Sequence, residues 1–162
     1  MRNEVGYMKK SAFAAAIMMT ISASAMSSNA AADNRNAVIT TTVDPAYIVT
    51  IPADLEVELN EVNTDFGAIT LESAQLAPKS AVRVTLISDY TLNHVEDDSK
   101  IIPYAINEGK ADAVGKAFAS SDFTDAGQFV DLTVSITQDD WNKAYAGDYK
   151  DTVTFKIEYV DL

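Results

Sequence analysis

The chain of 162 residues has no cysteine, one histidine, one tryptophan and half as many basic as acidic residues, twelve against twenty-four. Each scarcity excludes something. Without cysteine there is no disulfide, thiol nucleophile, lipid-bearing cysteine or cysteine-zinc centre, so stability must come from an apolar core, from assembly, or from both. A solitary His94 leaves at most one position for a histidine metal cluster or a Ser-His-Asp triad, and triads are defined by geometry, not by residue types being present. His94 reads instead as an exposed or loop histidine. No glycine-rich phosphate loop and no basic stripe interleaved with aromatics occurs, and the formal charge of −12 repels phosphates. Nucleic acid is therefore not an expected partner, and no catalytic residue, metal site or cofactor is expected.

A long apolar run is also missing. Residues 12–26 are free of charge but are broken by Thr20, Ser22 and Ser24 and followed by Ser27 and Ser28, short of the roughly 20 strongly apolar residues of a membrane span. Arg2, Lys9 and Lys10 precede the run, and Ala30 and Ala32 give the small-x-small pattern of a peptidase site before Asp33. This is the layout of a signal peptide over 1–32. Cleavage after Ala30 is the neighbouring alternative, and Met8 is an alternative start. Export without a membrane anchor is the expectation. Removing 1–32, with three basic residues and one acidic one, moves the formal charge from −12 to −14 over 130 residues, one domain's worth.

What remains alternates. Ala37, Ile39, Thr41 and Val43 share one face of an extended segment that Asp44-Pro45 interrupts, since proline cannot donate to a ladder. Further strands are expected at 47–51, at 55–59, at 81–88, at 90–95, at 101–106 with Pro103 marking an edge, at 129–136 and at 152–159. Asp65-Phe66-Gly67 reads as a bend. Residues 107–127 read as loop, and Thr137 caps a helical turn that places Trp141 and Tyr145 four apart. About seven to nine short strands without a long amphipathic helix predict an antiparallel all-β sandwich.

Three segments carry a resemblance. The first is Ala37-Val38-Ile39-Thr40-Thr41-Thr42-Val43-Asp44-Pro45, the second Asp65-Phe66-Gly67-Ala68-Ile69, and the third runs from Ala146-Gly147-Asp148-Tyr149-Lys150-Asp151-Thr152-Val153-Thr154-Phe155 to Tyr159. Together they resemble the pilin-like subunits of chaperone-usher fibres and the spore coat protein U domain family. Gly147 and Tyr159 keep the twelve-residue separation of those subunits' glycine and near-terminal aromatic. Three residues follow Tyr159, and Ala46-Tyr47 stand where many members have a cysteine. The resemblance implies an immunoglobulin-like sandwich of the pilin type over 46–162, preceded by an N-terminal extension or donor strand at 33–45. It implies a structural subunit of a surface fibre, pilus or coat layer, fimbrial, periplasmic or extracellular. Its partners would be copies of itself or related subunits and an assembly chaperone. The donor strand would insert Ala37, Ile39, Thr41 and Val43 into a neighbour's groove formed by Gly147, Val153, Phe155, Ile157 and Tyr159, with main-chain bonds for affinity and alternate side chains filling pockets.

Two other readings of the same residues stand beside this one. Residues 37–43 would equally serve as the first strand of their own sandwich, paired with the last, because periodicity does not say which molecule supplies the partner. Trp141, Tyr145 and Tyr149 would stack on a sugar ring, making the protein a monomeric extracellular adhesin or carbohydrate-binding module facing a host or glycan surface. Core or corner packing is the plainer role for such aromatics. Asp97-Asp98 and Asp139-Asp140 lack the spacing of a calcium loop and fix no separation across a cleft for glycoside hydrolysis. The protein is expected not to be an enzyme.

Overall fold

The computed structural model describes residues 37–162; the expected signal peptide lies outside the described residues. Thr41–Leu162 form one compact unit. Its elements in chain order are β1 (Ala46–Thr50), β2 (Asn63–Gln75), β3 (Ser80–Ile87), β4 (Thr91–His94), β5 (Ile101–Pro103), β6 (Ala105–Glu108), β7 (Ser120–Phe123), β8 (Phe129–Ser135), α1 (Gln138–Trp141), β9 (Tyr149–Lys150) and β10 (Thr154–Asp161). Every ladder is antiparallel. One layer has the strand order β1-β2-β8-β6; the other comprises β10-β3-β7 and β5-β4-β9. The β4–β9 pair continues the β3–β10 pair in the same antiparallel sense, after breaks at 88–90 and 151–153. The fold is thus an all-β sandwich of ten strands.

Alternation explains the layers. Val82, Val84 and Leu86 of β3 turn inward and meet Ile69 and Leu71 of β2 and Leu132 and Val134 of β8 in one core. Arg83 and Thr85, between them, face out. This is the period-two pattern of a half-buried sheet.

Several segments depart from their sequence pattern. Residues 37–45 hold no strand and are exposed. Residues 53–62 also hold none: Leu55 and Val57 pack on the core without a ladder and Leu59 is exposed. Their alternation reflects a wall laid against the core, not a paired strand. Asp65-Phe66-Gly67 is not a bend but a bulge inside β2, where the register against β8 shifts. The expected strand at 101–106 divides at Tyr104, whose N–H donates to Tyr90 O at 2.9 Å, and the chain crosses there from one layer to the other. Pro103 does lie on an edge strand, where a missing donor costs no ladder bond. The 107–127 stretch contains β7, hidden by its polar Ser-Ser-Asp run and held by the buried Phe123. Thr137 caps α1 as expected, its Oγ1 accepting from Asp140 N–H at 3.1 Å.

Candidate functional site: an open groove between two edge strands

Strand β10 is an edge. Its ladder runs to β3 on one side, and among the described residues no strand pairs with the other. Phe155, Ile157 and Tyr159 stand opposite the buried Leu86, Val84 and Val82, so they share the inward face. An inward residue on a closed sandwich is covered, yet Ile157 is 37% exposed.

The facing wall is β1, the edge of the other layer. Val49 packs against the core and Tyr47 lies with its ring parallel to that of Tyr159, centroids 6.4 Å apart and planes 9° from parallel. The two edges run in opposite senses: Tyr47 near the start of β1 meets Tyr159 near the end of β10, while residues just past β1 meet those just before β10. At that second end lies a cleft of about 470 Å³ bounded by Ile51, Leu55, Phe66, Val153 and Phe155 among others. The bulge aims Phe66 into it, 6.0 Å from the Phe155 ring. Gly67 permits this by adopting a φ of +115°, with Pro52 packed close over it.

A polar cluster closes the cleft's rim. The Tyr104 hydroxyl donates to Asp151 Oδ2, and Ser88 Oγ lies 2.8 Å from the Tyr104 oxygen and 3.1 Å from Asp151 Oδ2. Ser88 Oγ also accepts from Tyr90 N–H at 2.8 Å. Burial, and then the hydrogen bond to Asp151, push the Tyr104 hydroxyl well above its ordinary value. The cluster pins the break between β9 and β10 and so holds Val153 and Phe155 at the cleft.

Phe155, Ile157 and Tyr159 share the inward face of β10, with Val153 and Phe155 at the cleft, and Gly147 lies elsewhere. Gly147, at φ +141°, lies directly against the His94 ring, where a Cβ would collide with Nε2. His94 is not exposed, as expected from sequence, but buried. Its Nδ1 lies 3.1 Å from Glu96 N–H, which donates to it, and Nε2 lies 3.1 Å from Ala146 O, so the neutral ring with the proton on Nε2 satisfies both. Tyr149 meets the imidazole edge-on at 4.9 Å. The glycine makes room for a structural histidine that locks β9 to β4.

Ala37, Ile39, Thr41 and Val43 are exposed and lie in no ladder. The three aromatics considered for stacking do not form one platform. Trp141 donates its indole N–H to Glu61 O at 2.9 Å and packs on the core. The Tyr149 hydroxyl accepts from Tyr145 N–H at 3.0 Å and also lies 3.2 Å from Tyr145 O, while its ring packs on His94. Tyr145 is exposed with the Lys100 ammonium 4.5 Å from its ring centroid. Tyr47, Val49 and Phe66 are groove residues that sequence reasoning did not single out. The Asp-Phe-Gly motif was the available signal for Phe66, because a glycine inside an alternating run marks a bulge. Among the described residues no helix is long and apolar enough to cross a membrane.

No family model and no curated protein matches this chain. Among solved structures it is similar, at 13% identity and a TM-score of 0.45, to a chain from a structure described as "Chaperone-tip adhesin complex is vital for synergistic activation of CFA/I fimbriae biogenesis". The similarity covers 68% of this chain and 41% of that one, so this chain spans about two fifths of its neighbour's length.

Proposed function

We propose that the protein is an exported, pilin-like structural subunit of a bacterial surface fibre, pilus or coat layer, not an enzyme, and that it assembles by adding a neighbour's strand to β10. The observation that carries this reading is the unpaired edge of β10 with Ile157 inward-facing yet uncovered. Long apolar edge strands are normally blunted or covered because they template pairing with another chain. Here an unpaired segment with alternating apolar residues, 37–43, precedes β1 in the same chain and supplies a complementary strand in every copy.

Main-chain bonds along β10 would give affinity, and side chains entering the groove would add roughly 1.5 to 3 kcal/mol for each large apolar one fully buried. That is enough to hold a polymer without disulfides. Before assembly the groove is an aggregation hazard, so an assembly chaperone that offers a temporary strand is the natural second partner. The segment 37–43 joins β1 at the end of the groove marked by Tyr159, away from the cleft. A neighbour is therefore as well placed to receive it as its own chain.

The test compares the chain from Asp33 with one beginning at Asp44, by size-exclusion chromatography and electron microscopy. The reading predicts concentration-dependent oligomers or fibres for the first and none for the second. A stable monomer from Asp33 at all concentrations would sink it.

A further inference from the structure

We infer that the Tyr47–Tyr159 stack is a gate that sets the direction and register of the added strand, admitting only a small side chain at that end of the groove. This rests on the strand-addition reading above and specifies its partner as residues 37–43 of a second copy. The stack joins the edges of the two layers, with ring centroids 6.4 Å apart. Tyr159 is fixed from a third side, its hydroxyl accepting from Ala77 N–H at 3.0 Å in the turn between β2 and β3. The groove is consequently uncovered at Ile157, opens into the cleft by Phe155, and is spanned by the two rings at Tyr159.

The segment is matched to that profile in one arrangement. Run antiparallel to β10, with Ala37 opposite Tyr159, it places Ile39 opposite the uncovered Ile157, Thr41 opposite Phe155 and Val43 opposite Val153 at the cleft. The smallest side chain meets the gate, Ile39 meets the partly exposed Ile157, and Val43 meets the cleft. A shift of two residues drives Ile39 into the stacked rings. A shift of one turns Val38, Thr40 and Thr42 inward, exchanging every side chain for its neighbour. The parallel direction brings Val43 to the gate, with Pro45, which lacks an N–H, immediately beyond it.

Direction also decides the kind of assembly. In the antiparallel arrangement the donor's body lies beyond the cleft, while the acceptor's own segment leaves at the gate. Each copy then receives at one end and donates at the other, which is a heterologous contact that propagates as an open fibre. The parallel arrangement would bring two gates together and close a dimer.

Because the chain lacks cysteine, introduced pairs report register without background. Full-length chains carrying Ile39→Cys are coexpressed with chains carrying Ile157→Cys, Phe155→Cys or Tyr159→Cys and oxidised. The inference predicts a disulfide-linked pair chiefly between positions 39 and 157. Dominant linkage of 39 to 155 or 159 would overturn the register while leaving strand addition intact; no intermolecular linkage at any pair, with monomers throughout, would instead defeat the underlying reading. The gate itself is tested by size exchange. Ala37→Leu should reduce assembly about tenfold, and Tyr47→Ala, or Tyr159→Leu should the first fail to fold, should restore it. Undiminished assembly of Ala37→Leu, or failure of both enlarged gates to restore it in folded protein, would overturn the gate.

Discussion

Gly147 shows how far a single residue's reason can lie from the motif that drew attention to it. The resemblance placed it on the assembly surface, but in the fold it faces His94, at a φ that side chains rarely adopt. Gly147→Ala should therefore cost more than backbone strain alone, on the order of 3 kcal/mol in urea unfolding, since the imidazole must also move. Gly67→Ala makes the comparison, because its Cβ would meet only Pro52 at an ordinary 3.5 Å; a loss of about 1 kcal/mol is expected there. Neither role was legible in sequence, where a glycine's neighbours across the fold do not appear. Nor was the pairing of Arg83 with Asp122, whose Nε–Oδ1 and Nη2–Oδ2 contacts of 2.6 and 2.7 Å tie β3 to β7. Hydrogen bonding to Arg83 holds the Asp122 carboxyl below its usual range. A lowered carboxylate stabilises the fold above the unfolded-state value and loses that contribution as pH falls through the folded-state value. The stability difference between the wild type and Asp122→Asn should thus be present at pH 7, shrink below about pH 4, and weaken with salt, as exposed pairs do. A difference that grew on acidification would contradict the assignment.

At the level of elements, alternation located β3, β8 and β10 but not β2, the longest strand, whose Asp65-Phe66-Gly67 bulge reads in sequence as a bend. It failed where a segment's partner was missing or its polarity was mixed. Residues 55–59 alternate because Leu55 and Val57 line the groove wall, and β7 is polar because its outer face carries Asp122. The division at Tyr104 depends on Ser88 and Asp151, 16 and 47 residues away, which no local pattern reports. The groove was legible in part. Its β10 wall could be read from Val153, Phe155, Ile157 and Tyr159, but the facing wall at Tyr47 and Val49 required the topology. Ile157→Lys follows from this geometry. The side chain is already 37% exposed, so the monomer should lose less than about 1 kcal/mol by thermal or urea unfolding. A charge facing an incoming apolar strand should nevertheless abolish oligomers in size-exclusion chromatography.

For the whole molecule, the sequence conveyed an acidic, cysteine-free sandwich and an alternating segment ahead of it, and left open whether that segment completes its own fold or another's. Among the described residues, 37–43 pair with no strand and no strand pairs with the outer edge of β10. On the proposed strand-addition reading the fold should gain stability whenever such a strand is supplied, because a ligand that binds only the folded state shifts the unfolding equilibrium by mass action. The most direct measurement adds a synthetic peptide of residues 35–43 to the chain beginning at Asp44 and follows the thermal midpoint. The account predicts a saturable rise on the order of 5 °C at peptide concentrations well above Kd, abolished when Ile39 in the peptide is replaced by Asp. A midpoint unmoved by the native peptide, in a chain that folds, would contradict it.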